Sequence, residues 1–279
     1  VVQLSSGGGT IQATYLGTGQ YDQAYFVRKG GPANRVYVLG QTLSTSWPGV
    51  NSNTFSQPNG HQFIQQLTPN LRGPGFATVF GTGRAMADIS PTAFSVDCYG
   101  RLMLAGWGGG IDPNGGTTLG LPTTTNALQA NTDGNDFYLM QLSDEARTLE
   151  YASFFGSAAD DHVDGGSGRF DERGVLYQGL CACNQGAGTG IPIPAGAHYY
   201  QNNNGAAHCN NAAFKLDFWA NATAAGPDTL SVCARSGPQL LGGSPAGGSW
   251  SGPGVTGSIA NGFYFTPDTL RLGSFTLTY

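Results

Sequence analysis

A sequence motif near the amino terminus is repeated along the chain, and this repetition limits the possible folds more than any other feature. Stretches similar to the opening "VVQLSSGGGTIQATYLG" begin at Phe63 and Tyr138, and a stretch similar to its first half begins at Ala213. Leucines end the first run of each copy and glycines end the second: Leu4, Leu67, Leu142 and Leu216, with Gly17, Gly81 and Gly156. Leucines and glycines that recur at nearly constant spacing indicate a repeat architecture.

Two further runs complete each copy of the repeat. The third runs are "AYFVRK", "TAFSVD" and "SGRFDE", and the fourth end at Gly40, Gly106 and Gly179. Four short strands joined by turns form an up-and-down antiparallel sheet, which at this scale is typical of a propeller blade. A series of β-sandwich domains is the alternative, but each copy is too short to bury two sheets. We therefore predict an all-β fold with three complete propeller-type repeats over residues 1–219, the first strand belonging to a preceding unit.

The composition agrees with an all-β chain and separates its last part from the repeats. Glycine accounts for 45 of 279 residues and charged residues for only 10 %, and many glycine turns between short apolar runs favour strands. After a small, polar stretch at 220–226, which we interpret as a linker, the period breaks. Short strand-like runs over 227–279 predict an Ig-like or PKD-like β-sandwich, although the runs are few for a complete one.

Charge and hydropathy argue against two kinds of partner. The net charge is −5 and the arginines are scattered singly, so nucleic acid is not an expected partner. No apolar run approaches the roughly 18 residues needed to cross a bilayer. Because the chain opens inside a repeat, we expect it to belong to a longer protein. Few lysines and five cysteines favour a secreted one.

The repeats resemble the bacterial SBBP-type β-propeller family. The stretches that carry this resemblance are "ATYLGTGQYDQA", "RVYVLGQT" and "ASFFGSAADDHVDGG". The resemblance implies a multidomain surface protein of gliding Bacteroidota, typically exported by type IX secretion, with no catalytic residues to transfer. The expected function is a non-catalytic structural or adhesive segment outside the cell, whose partners are other surface-protein domains or chains. Glycan binding through the long loops is the alternative.

Cysteine and histidine concentrate in the third long loop, which spans 180–210. A disulfide between Cys209 and either Cys183 or Cys181 is the expected arrangement, because both ends of the loop lie at the same rim. We prefer Cys183, which stands clear of the strand. Zinc held with His198 or His208 is the alternative, but a C-x-C spacing is a poor match for a zinc site. Cys98 and Cys233 have no obvious partner in the sequence.

Acidic residues follow the second strand of each copy. Asp160 and Asp161 are weak calcium candidates, and Asp22 and Asp88 occupy similar places. Loop carboxylates suit calcium, but aspartate in a glycine-rich loop more often accepts hydrogen bonds from nearby backbone N–H groups, and this is the interpretation we favour. With His162 and Asp164 the same stretch could suggest acid–base chemistry, yet no further motif accompanies it. We predict no enzyme activity and no cofactor.

Two further sets of residues are candidates for contact with sugars. Aromatic side chains in or beside the long loops could stack on a glycan: Trp47, Trp107, Tyr199 and Tyr200. Aromatic residues near strand ends more often pack inside. The tetrapeptide "PDTL" occurs twice and resembles the O-glycan acceptor of Bacteroidota, which implies glycosylation of Thr229 and Thr269.

Overall fold

The structure is a computed structural model. It describes residues 1–112, 115–163, 168–182, 191–192, 209–218, 231–242, 249–258, 261–268 and 272–278. Within these residues the chain is all-β, as predicted. The one helical element among them is the 3-10 turn Asp144–Ala146, and no described helix is long or apolar enough to cross a membrane.

Seventeen strands are present in the described residues. The amino-terminal hairpin is formed by β1 (Val2–Leu4) and β2 (Thr10–Ala13). The first sheet contains β3 (Asp22–Gly30), β4 (Arg35–Thr42), β5 (Gln62–Leu67) and β6 (Pro74–Phe80), and the second contains β7 (Ser90–Val96), β8 (Leu102–Trp107), β9 (Phe137–Leu142) and β10 (Leu149–Phe155). The third contains β11 (Asp161–His162), β12 (Gly168–Phe170), β13 (Val175–Ala182) and β14 (Asn210–Asp217), and β15 (Gln239–Leu241), β16 (Val255–Ser258) and β17 (Gly262–Phe265) form a separate sheet.

The hairpins of the repeat share one strand register. In the amino-terminal hairpin, Leu4 lies opposite Thr10 and Val2 opposite Ala13, with a register shift between these pairs. The β5–β6 hairpin repeats this pattern with Leu67 opposite Pro74, and the β9–β10 hairpin repeats it with Leu142 opposite Leu149. Since the shift recurs at the same place, the repeat extends from sequence to backbone geometry.

The sheets do not follow the units that we drew from the sequence. The third and fourth strands of one predicted unit pair with the first and second strands of the next, giving the orders β3-β4-β5-β6 and β7-β8-β9-β10. The long loops 43–61 and 108–136 therefore lie inside a sheet, between its second and third strands. Repetition fixes the period of an array but not where each sheet begins. The described residues form two such complete sheets and no closed propeller.

The first and second sheets pack face to face. Their shared core contains side chains from both sheets, including Leu39 and Ile64 from the first and Leu104 and Met140 from the second. Strands β5, β8 and β9 are buried along their whole length, which agrees with the nearly continuous apolar runs of the sequence. Side chains on the other face of the first sheet, such as Phe63, form a second cluster. Val1 and Leu16, from the amino-terminal segment of the chain, pack against this cluster.

Each long loop covers one edge of its own sheet, at the last strand, β6 or β10. In the first sheet, the Gln57 backbone N–H donates to the Val79 carbonyl at 2.9 Å, and the Gly81 N–H donates to the Gln57 Oε1 at 3.1 Å. In the second, the Phe154 N–H donates to the Gln129 carbonyl at 3.0 Å and the Gly156 N–H to its Oε1 at 3.1 Å. A covered edge cannot recruit a strand from another chain.

The chain divides into two compact units. One contains 1–169 and 177–214, and the other contains 170–176 and 215–279. In the second unit, β17 lies between β15 and β16, and an isolated bridge joins Ser251 to Thr278. A single three-stranded sheet is described there, so the Ig-like sandwich stays a prediction. The predicted linker 220–226 lies outside the described residues.

Candidate functional site

The acidic residue after each sheet closes a loop by accepting backbone hydrogen bonds. The Asp88 Oδ2 accepts from the Thr82 N–H at 2.8 Å, and the Thr82 hydroxyl donates to the other carboxylate oxygen. Asp22 has the same contacts with the N–H and hydroxyl of Thr18. In the third copy, the Asp161 Oδ2 accepts from the Ser157 N–H. The interpretation that we favoured from the sequence is confirmed for these three residues.

In the first two copies, the glycine that ends the second strand makes room for this carboxylate. Gly81 adopts a φ of 141°, and a Cβ atom placed on it would lie 2.5 Å from the Asp88 Oδ2. A side chain there would collide with the oxygen that holds the loop closed. Gly17 has the same relation to Asp22, whose Oδ2 would lie 2.8 Å from a Cβ on that glycine. In the third copy, a Cβ on Gly156 would instead meet Asp136. The contact therefore accounts for the pairing of glycine with aspartate in the first two copies.

Asp160 and Asp161 differ in their surroundings. Asp161 is buried, with 1 % of its surface exposed, while Asp160 is half-buried and contacts the His162 ring through its backbone carbonyl at 3.3 Å. Among the described residues, no three acidic, histidine or cysteine side chains are grouped so that they could hold a metal ion. Asp164 lies outside the described residues.

Asp136 is a buried acid that the sequence did not single out. It is fully buried, and its Oδ1 has no hydrogen-bond partner within the described structure. Burial raises the pKa of this carboxyl to about 6, and the charges of Asp133 and Asp161 add to the rise, against hydrogen bonds from Thr132 and Gln129. Counting back six residues from Leu142 and from Leu67 puts Asp136 at the same place as His61. Both are buried, so an alignment of the copies marks this place as one where a polar side chain recurs.

The tryptophans proposed for glycan contact are packing residues. Trp47 and Trp107 each expose 5 % of their surface. The Trp47 ring stacks on Phe63 with centroids 3.7 Å apart, and its Nε1 donates to the Gln65 Oε1 at 3.1 Å. Trp107 lies in β8, with its ring centroid 5.8 Å from that of His162. Buried rings offer no face to a sugar, so the expectation is wrong for these two residues. Tyr199 and Tyr200 lie outside the described residues.

The structure supports the presence of disulfides and tests the predicted pairing in part. Cys209 is disulfide-bonded, and Cys181 is present as a thiol opposite His162 in the β11–β13 pair. Cys183, His198 and His208 lie outside the described residues, so the Cys183–Cys209 bond stays a prediction. Cys98 and Cys233, for which the sequence offered no partner, are also disulfide-bonded. The glycosylation candidates Thr229 and Thr269 lie outside the described residues.

No protein-family model matches the chain, and no curated protein is significantly similar to it.

Proposed function

We propose that the chain is a non-catalytic structural or adhesive segment of an extracellular surface protein. The proposal is supported by the structural role of the aspartates that recur with the repeat. Asp22, Asp88 and Asp161 hold loops closed through backbone N–H groups. Among the described residues, these recurring aspartates therefore serve the scaffold.

Polar side chains also join the neighbouring sheets. The Gln41 and Gln62 amides both donate to the Ile89 carbonyl, at 2.7 and 3.0 Å. The Arg28 Nε donates to the Phe94 carbonyl at 2.9 Å. The two glutamine bonds are buried, and such bonds resist sliding between the sheets because breaking them leaves polar groups unsatisfied. Together with the shared core, they suit a segment that must stay stiff under load.

The extracellular part of the proposal rests on cysteine chemistry and on the SBBP resemblance. Disulfide-bonded cysteines persist in oxidising compartments and are rare in the cytosol. The partners we propose are other domains or chains of the cell surface. Export by a type IX system and an origin in gliding Bacteroidota belong to the same proposal.

Mechanical coupling between the sheets can be tested with two native probes. Trp47 reports on the first sheet and Trp107 on the second, so variants that keep one tryptophan each allow the unfolding of both sheets to be followed by fluorescence. We expect coincident denaturation midpoints, because the sheets share a core. The double substitution Gln41→Ala and Gln62→Ala should lower both midpoints. Well-separated midpoints in the otherwise native chain would contradict a stiff scaffold.

The non-catalytic and adhesive parts need separate measurements. Purified chain should show saturable binding to cell-surface protein fractions and no turnover of ester, peptide or glycoside substrates. Reproducible turnover would overturn the proposal. Binding on a glycan array that is lost in the double substitution Tyr199→Ala and Tyr200→Ala would instead favour the glycan-binding function.

A further inference from the structure

The amino-terminal hairpin has the backbone geometry of half a repeat sheet. Val1 and Thr14 exchange both backbone hydrogen bonds, at 2.8 and 2.9 Å. Because successive residues of a strand point their N–H and C=O groups to opposite sides, those of Val2 face away from β2. At the place of Val2, the first sheet has Gln65 and the second has Met140.

In both complete sheets, a further strand occupies this side. Gln65 lies opposite Val38 of β4, and Met140 lies opposite Leu104 of β8. The amino-terminal hairpin contains two strands, and β1 pairs with β2 alone among the described strands. The outer edge of β1 thus occupies a position that is an established strand-pairing interface in the other two copies.

The outward face of the hairpin is apolar and exposed. The exposed fractions are 57 % for Val2, 56 % for Leu4 and 58 % for Ile11. Leu67, which occupies the place of Leu4 in the first sheet, is 4 % exposed. These side chains stand on the face of the hairpin beside its open edge, and clustered exposed apolar side chains mark an interaction surface.

We infer that the outer edge of β1 is a docking edge for a two-stranded antiparallel hairpin of the kind formed by β3 and β4. The docked strand runs antiparallel to β1 and adds main-chain hydrogen bonds at Val2, as in other cases of strand addition. Its pattern is that of "RVYVLGQT" in β4. The inference rests on the register of the repeat and does not depend on the proposed lack of catalysis.

The occupant is a repeat hairpin rather than β1 of a second copy of the chain. In the complete sheets the added strand pairs with six residues of the third strand. In the first sheet, β4 pairs with Gln65 and Leu67, which occupy the places of Val2 and Leu4. No described strand pairs with a copy of itself, so the geometry of the repeat favours a hairpin of the β3–β4 kind over a second β1.

A synthetic hairpin with the sequence of residues 22–42 provides the probe. We expect it to bind the full chain in a one-to-one complex and to slow amide hydrogen exchange at Val2 at least about tenfold. The variant Val2→Pro removes the outward N–H but keeps the bonds between Val1 and Thr14, and proline is tolerated at a strand edge. It should abolish both effects. A peptide carrying Val38→Pro is the matched control and should not bind.

A fusion keeps the inference testable if the peptide associates with itself. Counting from the leucine landmarks, Val1 occupies the place of Ile64, so a copy of residues 22–63 can be joined directly ahead of Val1. Val2 exchange should slow at least about tenfold in this fusion and not in a fusion with the same residues scrambled. Unchanged Val2 exchange in the fusion, binding that survives Val2→Pro, or dimerisation of the chain through β1 would each overturn the inference.

Discussion

The amino-terminal hairpin and the β5–β6 hairpin share a register but differ in surroundings. Leu4 and Leu67 occupy the same place, opposite Thr10 and Pro74, yet their exposed fractions are 56 % and 4 %. A repeat can thus set local backbone geometry while the neighbouring strands decide burial. Sequence similarity between repeats is evidence for the first property and not for the second.

The largest expected effect separates the two hairpins by the same substitution. Leu67→Ala should lower the free energy of unfolding by about 2–5 kcal/mol, because it leaves a cavity in a packed core. Leu4→Ala should lower it by less than about 0.5 kcal/mol, because the side chain is largely in water. Urea denaturation measures both. Similar losses for the two variants would contradict the difference in burial.

A second prediction concerns the pH dependence that Asp136 adds to the second sheet. Its folded pKa of about 6 lies above the ordinary value, so the folded state holds the proton more tightly than the unfolded state. Stability from this group is present at low pH and is lost as pH rises from about 4 to about 6, by roughly 2–3 kcal/mol.

The variant Asp136→Asn should remove this pH dependence and be more stable than the native chain at pH 7.5. The exposed neighbour Asp133 provides the control, since Asp133→Asn should leave most of the dependence in place. Denaturation midpoints across pH 4–8 check this comparison. Denaturation midpoints of the native chain that stay constant over this range would contradict the burial of this carboxyl. Midpoints that rise with pH in the native chain but not in Asp136→Asn would contradict it as well.

A third prediction compares the closed loops. Asp88→Ala should cost about 1–3 kcal/mol of unfolding free energy, because two donors of Thr82 lose a charged acceptor and Asp88 is fully buried. Asp22→Ala, in a more exposed copy of the loop, should cost less. Thermal unfolding checks the order. The matched substitution Asp88→Asn should recover part of the loss, and an equal effect of both alanine variants would count against the burial difference.

The strands and their period were predictable because they depend on local pattern and on repetition. The phase of the sheets was not, since a repeated series of strands aligns equally well whichever strand is placed first. The roles of Trp47 and Trp107 depend on long-range packing, which residue type and nearby loops do not reveal. The closing of loops by Asp22, Asp88 and Asp161 was predictable, because an aspartate close to backbone N–H groups has a local partner.

The central claim is that the hairpins of the repeat share one strand register. The most direct test is a pair of cysteines at Val2 and Ala13, which lie opposite each other and next to the hydrogen-bonded pair of Val1 and Thr14. Facing residues of a pair that is not hydrogen-bonded have Cα atoms about 4.5 Å apart, which lies within the range of about 4.4–6.8 Å that a disulfide spans. Peptide mapping after mild oxidation should show the Val2→Cys, Ala13→Cys variant crosslinked between these positions. Efficient crosslinking of Val2→Cys to Gln12→Cys instead, with none to position 13, would mean a shifted register and would contradict the account.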